Sequence, residues 1–366
     1  MIRYALPNLP PLAWSHPMTL LLDAPRTDTE FARIVAELTR RGFLGGLAGS
    51  AGLLGLAACS SSKPDGGSGT AAGYPVRIPG KFGDTVVPTP PKRIVALGQG
   101  PDADAAVALG VAPVAMTRDP TAASGIQPWL KQRLTGQPPT LLDTSDGPPL
   151  EQIAALRPDL ILATTYYPLA QFHDKLGGIA PVLAYANGPN VDRWQDTMTR
   201  LGQALGRAEA AATAVAGVQR AITDDRAVHP GFKGKTFTFG PVQPDGKIYT
   251  TNTAGDLSAA LLAELGLTLS PRVTALPPSS TKGKSIVSPE QLDLLDADVL
   301  ILTYITPEQQ NKLEASALFK RLAAVRRGAY VVLPLPVAVA MAFPSVLSVP
   351  YALQQTIPLL DKAISA

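Results

Sequence analysis

Leu150-Glu-Gln-Ile-Ala-Ala-Leu-Arg-Pro-Asp-Leu-Ile-Leu162 and Pro289-Glu-Gln-Leu-Asp-Leu-Leu-Asp-Ala-Asp-Val-Leu-Ile301 align without a gap, 139 positions apart, and share Glu, Gln, Leu and Asp. Each copy reads as a short helix that begins near a Glu and ends before an Asp, which leads into a buried apolar strand. One helix-to-strand unit used once per half predicts a chain built of two similar lobes.

Outward from these copies, short apolar runs alternate with helical segments. Strands are expected at Arg93–Leu97, Pro113–Thr117, Asp159–Ala163, Pro181–Ala184, Lys235–Phe239, Asp298–Thr303 and Ala329–Leu333. Continuous Val, Ile and Leu suit strands covered on both faces, hence α/β layering. Between the two strand groups, Val191 to about Val228 is dense in Ala, Gln, Arg and Glu. That stretch predicts a long helix joining the lobes as a strut, with Gly206 as its natural break. From Gly328 to Leu360 no residue is charged. The length would pass for a membrane span, yet Pro334, Pro336, Pro344, Pro350 and Pro358 forbid one unbroken helix, so a buried strand, a loop and a closing helix are expected. The predicted division is 1–58 leader, 59–73 tether, 74–190 first lobe, 191–230 bridging helical region and 231–366 second lobe.

The leader carries its own chemistry. Arg40-Arg41 precede the uncharged run Gly45 to Ala58 and then Cys59. Fourteen residues are too few to cross a bilayer core of roughly 30 Å as a helix, but suit a signal-peptide core. The paired arginines resemble a twin-arginine signal, and Leu56-Ala57-Ala58-Cys59 resembles the lipobox of bacterial lipoproteins, whose thiol is lipidated. Cys59 is the sole cysteine of the 366 residues, which excludes an intramolecular disulfide or a cysteine-rich metal centre. Ser60 to Gly73, rich in Ser and Gly, reads as a flexible tether.

Composition removes other classes. With 32 Lys and Arg against 29 Asp and Glu and no basic block, the formal charge of +3 gives no nucleic-acid surface. The chain has three histidines, of which His173 and His229 follow the leader, too few for a His-rich metal site. No G-x-S-x-G elbow occurs. Gly98-Gln-Gly-Pro-Asp-Ala103, with Asp119 about twenty residues on, mimics a dinucleotide fingerprint. An exported NAD or flavin oxidoreductase is therefore one alternative. Pro101 removes an amide from the turn that would cradle pyrophosphate, which favours a tight strand-to-helix turn with Pro at the first helical position.

The export lipobox, Val76 to Val87 with Pro91-Lys-Arg-Ile-Val95, and Glu151 to Leu162, in that order and spacing, resemble the iron-siderophore ABC-importer binding lipoproteins, the group that includes ferrichrome and vitamin B12 receptors. The likeness covers about residues 74–364. It implies an α/β fold of two lobes, each with a central, mostly parallel sheet flanked by helices, joined by one long helix, with ligand held between them. It further implies no catalytic residues, no cofactor and a monomeric receptor on the outer face of the cell membrane. Such a receptor takes a ferric siderophore, or alternatively haem or cobalamin, to the permease subunits of an importer. A helical strut bends less than a strand hinge, so capture should involve limited lobe closure.

Ligand residues are sought in loops leaving the carboxyl ends of strands. These loops offer Gln99 and Asp102, Arg118 and nearby Trp129, then Tyr166 and Tyr167, with Tyr249 and Tyr304 from the second lobe. Aromatic faces can cover a bulky chelate while phenol and guanidinium groups bond its oxygens. The resemblance implies a Tyr after Asp159–Ala163, which Tyr166 or Tyr167 matches. It also implies an Arg ahead of the first motif helix; Asp143-Thr-Ser-Asp-Gly147 stands there without one, and Arg118 is the substitute. Glu151 and Glu290 match the family's acidic knobs that meet the permease; alternatively each only stabilises a helix N-terminus.

Overall fold

The computed structural model describes residues 73–365, so the leader, Cys59 and nearly all of the tether lie outside the described residues. The chain opens with an antiparallel hairpin, β1 (Val76–Ile78) against β2 (Thr85–Val87). The first lobe then lays down β3 (Ile94–Ala96), β4 (Ala115–Thr117), β5 (Thr140–Leu142), β6 (Leu160–Ala163) and β7 (Val182–Ala184). They form one fully parallel sheet in the order β5-β4-β3-β6-β7. β3, β4, β6 and β7 are buried along their whole length, as strands covered on both faces must be.

The second lobe has β8 (Thr236–Pro241), β9 (Ile248–Thr251), β10 (Thr268–Leu269), β11 (Lys284–Val287), β12 (Val299–Thr303) and β13 (Tyr330–Leu333). Its main sheet is parallel, β10-β8-β12-β13, while β9 and β11 make a separate antiparallel pair. Two separate parallel sheets with flanking helices give the expected two-lobed α/β architecture. All seven strands expected from the sequence form, within two residues at each end. The missed strands are short or polar: β5 has two partly exposed residues and β10 has only two residues.

Two helices occupy the connecting region. Trp194–Ala204 packs on β1 and on the helix Pro101–Ala108 of the first lobe. Gly206, with φ 63, separates it from Ala208–Val228. The latter is 21 residues long, about 30 Å at 1.5 Å per residue, and buries Ala211, Ala214, Val218 and Ile222 along one stripe. It runs from the first-lobe helix Trp194–Ala204 to the second-lobe helix Leu257–Glu264.

The uncharged C-terminal tract differs from expectation. After β13 the chain forms a helix, Leu335–Ala342, where a loop was expected, and then a second helix, Ser348–Ile364, with Pro358 inside it. Pro336 sits in the first turn of the earlier helix, where a missing N–H costs nothing. The last helix packs on the bridging helix, on β12 and β13, and on Pro128–Lys131 of the first lobe. It is therefore a second span between the lobes. Among the described residues no helix is long and apolar enough to cross a membrane.

The two motif copies also differ. Leu150–Ala155 is an α-helix, but the second copy is only a 3-10 turn, Leu292–Leu295, that begins after Glu290. At the end of the second copy the Asp296 carboxylate accepts from the amides of Ala323 and Ala324, and Asp296 itself is extended backbone.

Candidate functional site

In the first sheet the chain goes from β3 out to β5 and then returns to β6, so the connection reverses direction between β3 and β6. In open α/β sheets that reversal opens a crevice at the carboxyl ends of the strands. Here Asp102 fills it. Its carboxylate accepts from the Gly98 amide after β3 (2.9 Å) and from the Thr164 amide after β6 (3.1 Å), with a further short bond from the Thr164 hydroxyl. Burial pushes the Asp102 carboxyl up to about 6, against the pull of these bonds. Gly98 has no side chain because one would collide: a Cβ there would lie 2.2 Å from Asp102 Oδ2. Gly100, with φ 72, makes the turn, and Pro101 starts the helix Pro101–Ala108. The glycine pair is thus a strand-to-helix turn knotted by an internal carboxylate.

The open space lies one strand over, at the ends of β3 and β4, and faces the second lobe. The pocket is lined on the first-lobe side by Gln99, Asp104, Arg118, Asp119, Gln127 and Trp129. Val339 and Phe343, at the end of the helix Leu335–Ala342, close it from the other side. Three residues expected from the strand-end loops, Gln99, Arg118 and Trp129, therefore converge on one inter-lobe cavity.

Its floor is polar and buried. Asp104 is 1% exposed, and its Oδ2 accepts from Trp129 Nε1 (2.8 Å) and from the Ser345 hydroxyl (2.5 Å). Ser345 belongs to the bend between the two C-terminal helices, so this carboxylate ties the first lobe to the tract that follows the second. Burial pushes the Asp104 carboxyl up to about 7, with Asp119 and Asp102 adding to the rise. Trp129 also stacks obliquely on Tyr351, with ring centroids 5.2 Å apart. Gln127 donates through Nε2 to Asp119 Oδ2 and to the Thr121 hydroxyl, each at 2.8 Å. Asp104 Oδ1 and Gln127 Oε1 are buried without a hydrogen-bond partner.

The tyrosines lie elsewhere. Tyr166 is 3% exposed within the first lobe's core, its hydroxyl without a partner and pushed by burial up to about 12. Tyr304 is also buried, and its hydroxyl meets that of Tyr330 at 2.6 Å, which in turn donates to Glu314. Tyr249 sits half-buried on β9, outside the pocket lining. Tyr167 is 52% exposed; burial raises its hydroxyl, an effect opposed by Asn190 and reinforced by the Asp256 carboxylate of the second lobe. It is the most exposed tyrosine of the four. Asn190 crosses the gap between the lobes, donating to the Ala342 carbonyl at 3.1 Å.

Asp104, Gln127, Val339 and Phe343 were not expected. A signal existed for two of them: Asp104 is the second acid of Pro-Asp-Ala-Asp at a helix start, and Gln127 lies two residues before Trp129. Val339 and Phe343 sit in the tract read as a loop. Glu151 lies in the first turn of Leu150–Ala155, and Glu290 in the turn before Leu292–Leu295; both are exposed. The Ser288 hydroxyl holds the Glu290 carboxyl below its usual range.

Known proteins share this fold. Over 283 residues the chain is 28% identical to a Bacillus subtilis protein described as a putative ABC transporter substrate-binding lipoprotein, YhfQ, covering 74% of this chain and 84% of that one. It is 26% identical over 278 residues to the Fe(3+)-citrate-binding protein YfmC of the same organism, covering 75% and 83%. The structure of Streptococcus pneumoniae PiaA in complex with ferrichrome superposes with a TM-score of 0.68 at 26% identity, over 79% of this chain and 98% of that one. The sequence profile of the periplasmic binding protein family spans residues 94–336, from β3 to the helix that closes the pocket, and the chain belongs to that family.

Proposed function

We propose that this protein is a lipid-anchored, extracytoplasmic receptor that captures a ferric siderophore and delivers it to the permease subunits of an ABC importer. The observation that carries the reading is the inter-lobe cavity itself, in which Gln99, Arg118 and Trp129 of one lobe face Val339 and Phe343 of the other. An aromatic wall, an apolar roof and a few convergent polar groups are what a bulky chelate needs. Cys59 is the proposed anchor, and the exposed Glu151 and Glu290 the proposed docking pair, charge complementarity serving orientation more than affinity. Tyr167 joins Gln99, Arg118 and Trp129 as a proposed ligand contact.

Titration of the purified chain with ferric siderophores, haem and cobalamin, followed by tryptophan fluorescence, tests the reading. Trp129 in the pocket wall should be quenched saturably by a ferric siderophore with stoichiometry near one. A panel that neither quenches nor binds overturns it. Charge reversal at Glu151 and Glu290 should leave that titration unchanged and abolish uptake in cells; undiminished uptake would remove the docking assignment. A Cys59→Ala protein should lose lipid labelling, and retained labelling would remove the anchor.

A further inference from the structure

Two atoms of the pocket are orphaned: Gln127 Oε1 is an acceptor, and Asp104 Oδ1 is one once its carboxyl is ionised, above about pH 7. Asp104 already receives two hydrogen bonds on Oδ2, which leaves Oδ1 for a ligand. Gln127 cannot turn its amide over, because Nε2 must stay toward the Asp119 carboxylate, so Oε1 is fixed as the free atom. Both side chains are more than nine-tenths buried and both line the cavity. Buried acceptors without partners are costly, and a ligand that brings donors relieves them.

Charge in the cavity points the same way. Its lining holds two carboxylates, Asp104 and Asp119, and one cation, Arg118. Outside the lining, the Ser145 hydroxyl and amide hold the Asp143 carboxyl below its usual range, with a smaller contribution from Arg118. Across the gap, Lys284 is closed onto Asp256 at 2.7 Å. A polyanionic chelate would bring its carboxylates against like charge in a partly water-excluded space, where that repulsion is strongest.

We propose that the pocket is built for a neutral or cationic iron chelate that turns amide N–H, hydroxyl or ammonium donors toward Asp104 and Gln127, and that it rejects polycarboxylate chelates. The inference deepens the receptor reading and rests on it. It separates this chain from what its relatives' names alone convey, since one of them is a ferric citrate binder and another was solved with ferrichrome.

The test compares three probes on the full mature chain at fixed pH and ionic strength: ferrioxamine B, a cationic trihydroxamate with amide N–H groups and a free ammonium; ferrichrome, a neutral one; and ferric dicitrate, a polyanion. Ferrioxamine B and ferrichrome should each bind at least about tenfold more tightly than ferric dicitrate, the scale of one lost or gained charged hydrogen bond. Asp104→Asn should weaken ferrioxamine B by about tenfold and narrow the ratio of ferrioxamine B to ferric dicitrate. Ferric dicitrate binding as tightly as the hydroxamates overturns the inference and leaves the receptor reading standing. Failure of all three probes, together with failure of the wider panel, overturns both.

Discussion

The two lobes repeat one sheet plan, yet they meet the ligand cavity differently. The first lobe presents a hydrogen-bonded polar floor built from strand-end loops, with Asp104, Gln127 and Trp129 buried and interlocked. The second presents an apolar roof, Val339 and Phe343, from a helix that follows its last strand. The polar groups of the cavity are therefore concentrated in one lobe, and the other contributes apolar surface. Strand-end loops carry Gln99, Arg118 and Trp129 to the cavity wall, while Asp102 and Tyr166 are buried elsewhere in the first lobe and Tyr249 and Tyr304 lie outside the lining.

That contrast can be broken by mutation. The largest effect is expected at Trp129, which is 4% exposed, donates to Asp104 and packs on Tyr351. Trp129→Ala should cost roughly 3–5 kcal/mol of folding stability by chemical denaturation, whereas Phe343→Ala, on a half-buried ring, should cost clearly less. Equal costs would erase the distinction between rigid floor and roof.

Next comes Asp104. Its folded-state carboxyl titrates near 7, above the ordinary aspartate value of 3.8, so the unfolded chain gives up its proton first as pH rises. Stability from this group is full below about pH 4 and is lost progressively as pH climbs through about 7. Asp104→Asn removes that slope. Its melting temperature should therefore gain on the wild type between pH 4 and 8, by the equivalent of a few kcal/mol at most. Parallel pH profiles for the two proteins would contradict the assignment.

Gly98→Ala should cost about 1–3 kcal/mol, because the new methyl displaces the buried Asp102 carboxylate and the Thr165 hydroxyl. An unchanged denaturation midpoint would mean the switch crevice is looser than described. The smallest effect falls in the second lobe. Tyr304→Phe removes one bond to the Tyr330 hydroxyl and should lose about 1 kcal/mol while leaving chelate affinity untouched. A fall in affinity would return Tyr304 to the binding surface.

Much of this architecture is written locally. Most of the seven runs are short, apolar and bounded by polar turns, which suits a strand covered on both faces. Gln99, Arg118 and Trp129 reach the cavity wall because a parallel sheet dictates where its loops emerge. Tertiary context decided the rest. Pro334 and Pro336 look like breakers in a linear reading, but they stand at and just inside a helix start, where a missing N–H is harmless. Tyr166 and Tyr167 are adjacent and chemically equal, and the turn after β6 buries one in the core and exposes the other. The second motif copy keeps Glu, Gln, Leu and Asp but loses its helix, and its Asp296 accepts from the amides of Ala323 and Ala324, nearly thirty residues away.

Capture between the lobes is tested most directly by amide hydrogen exchange of the mature chain with and without a saturating ferric siderophore. Protection is predicted in two separated places at once, the loops 98–100 and 117–130 of the first lobe and the segment 337–345 after β13. Protection confined to one lobe, or none at the segment 337–345, would contradict the account.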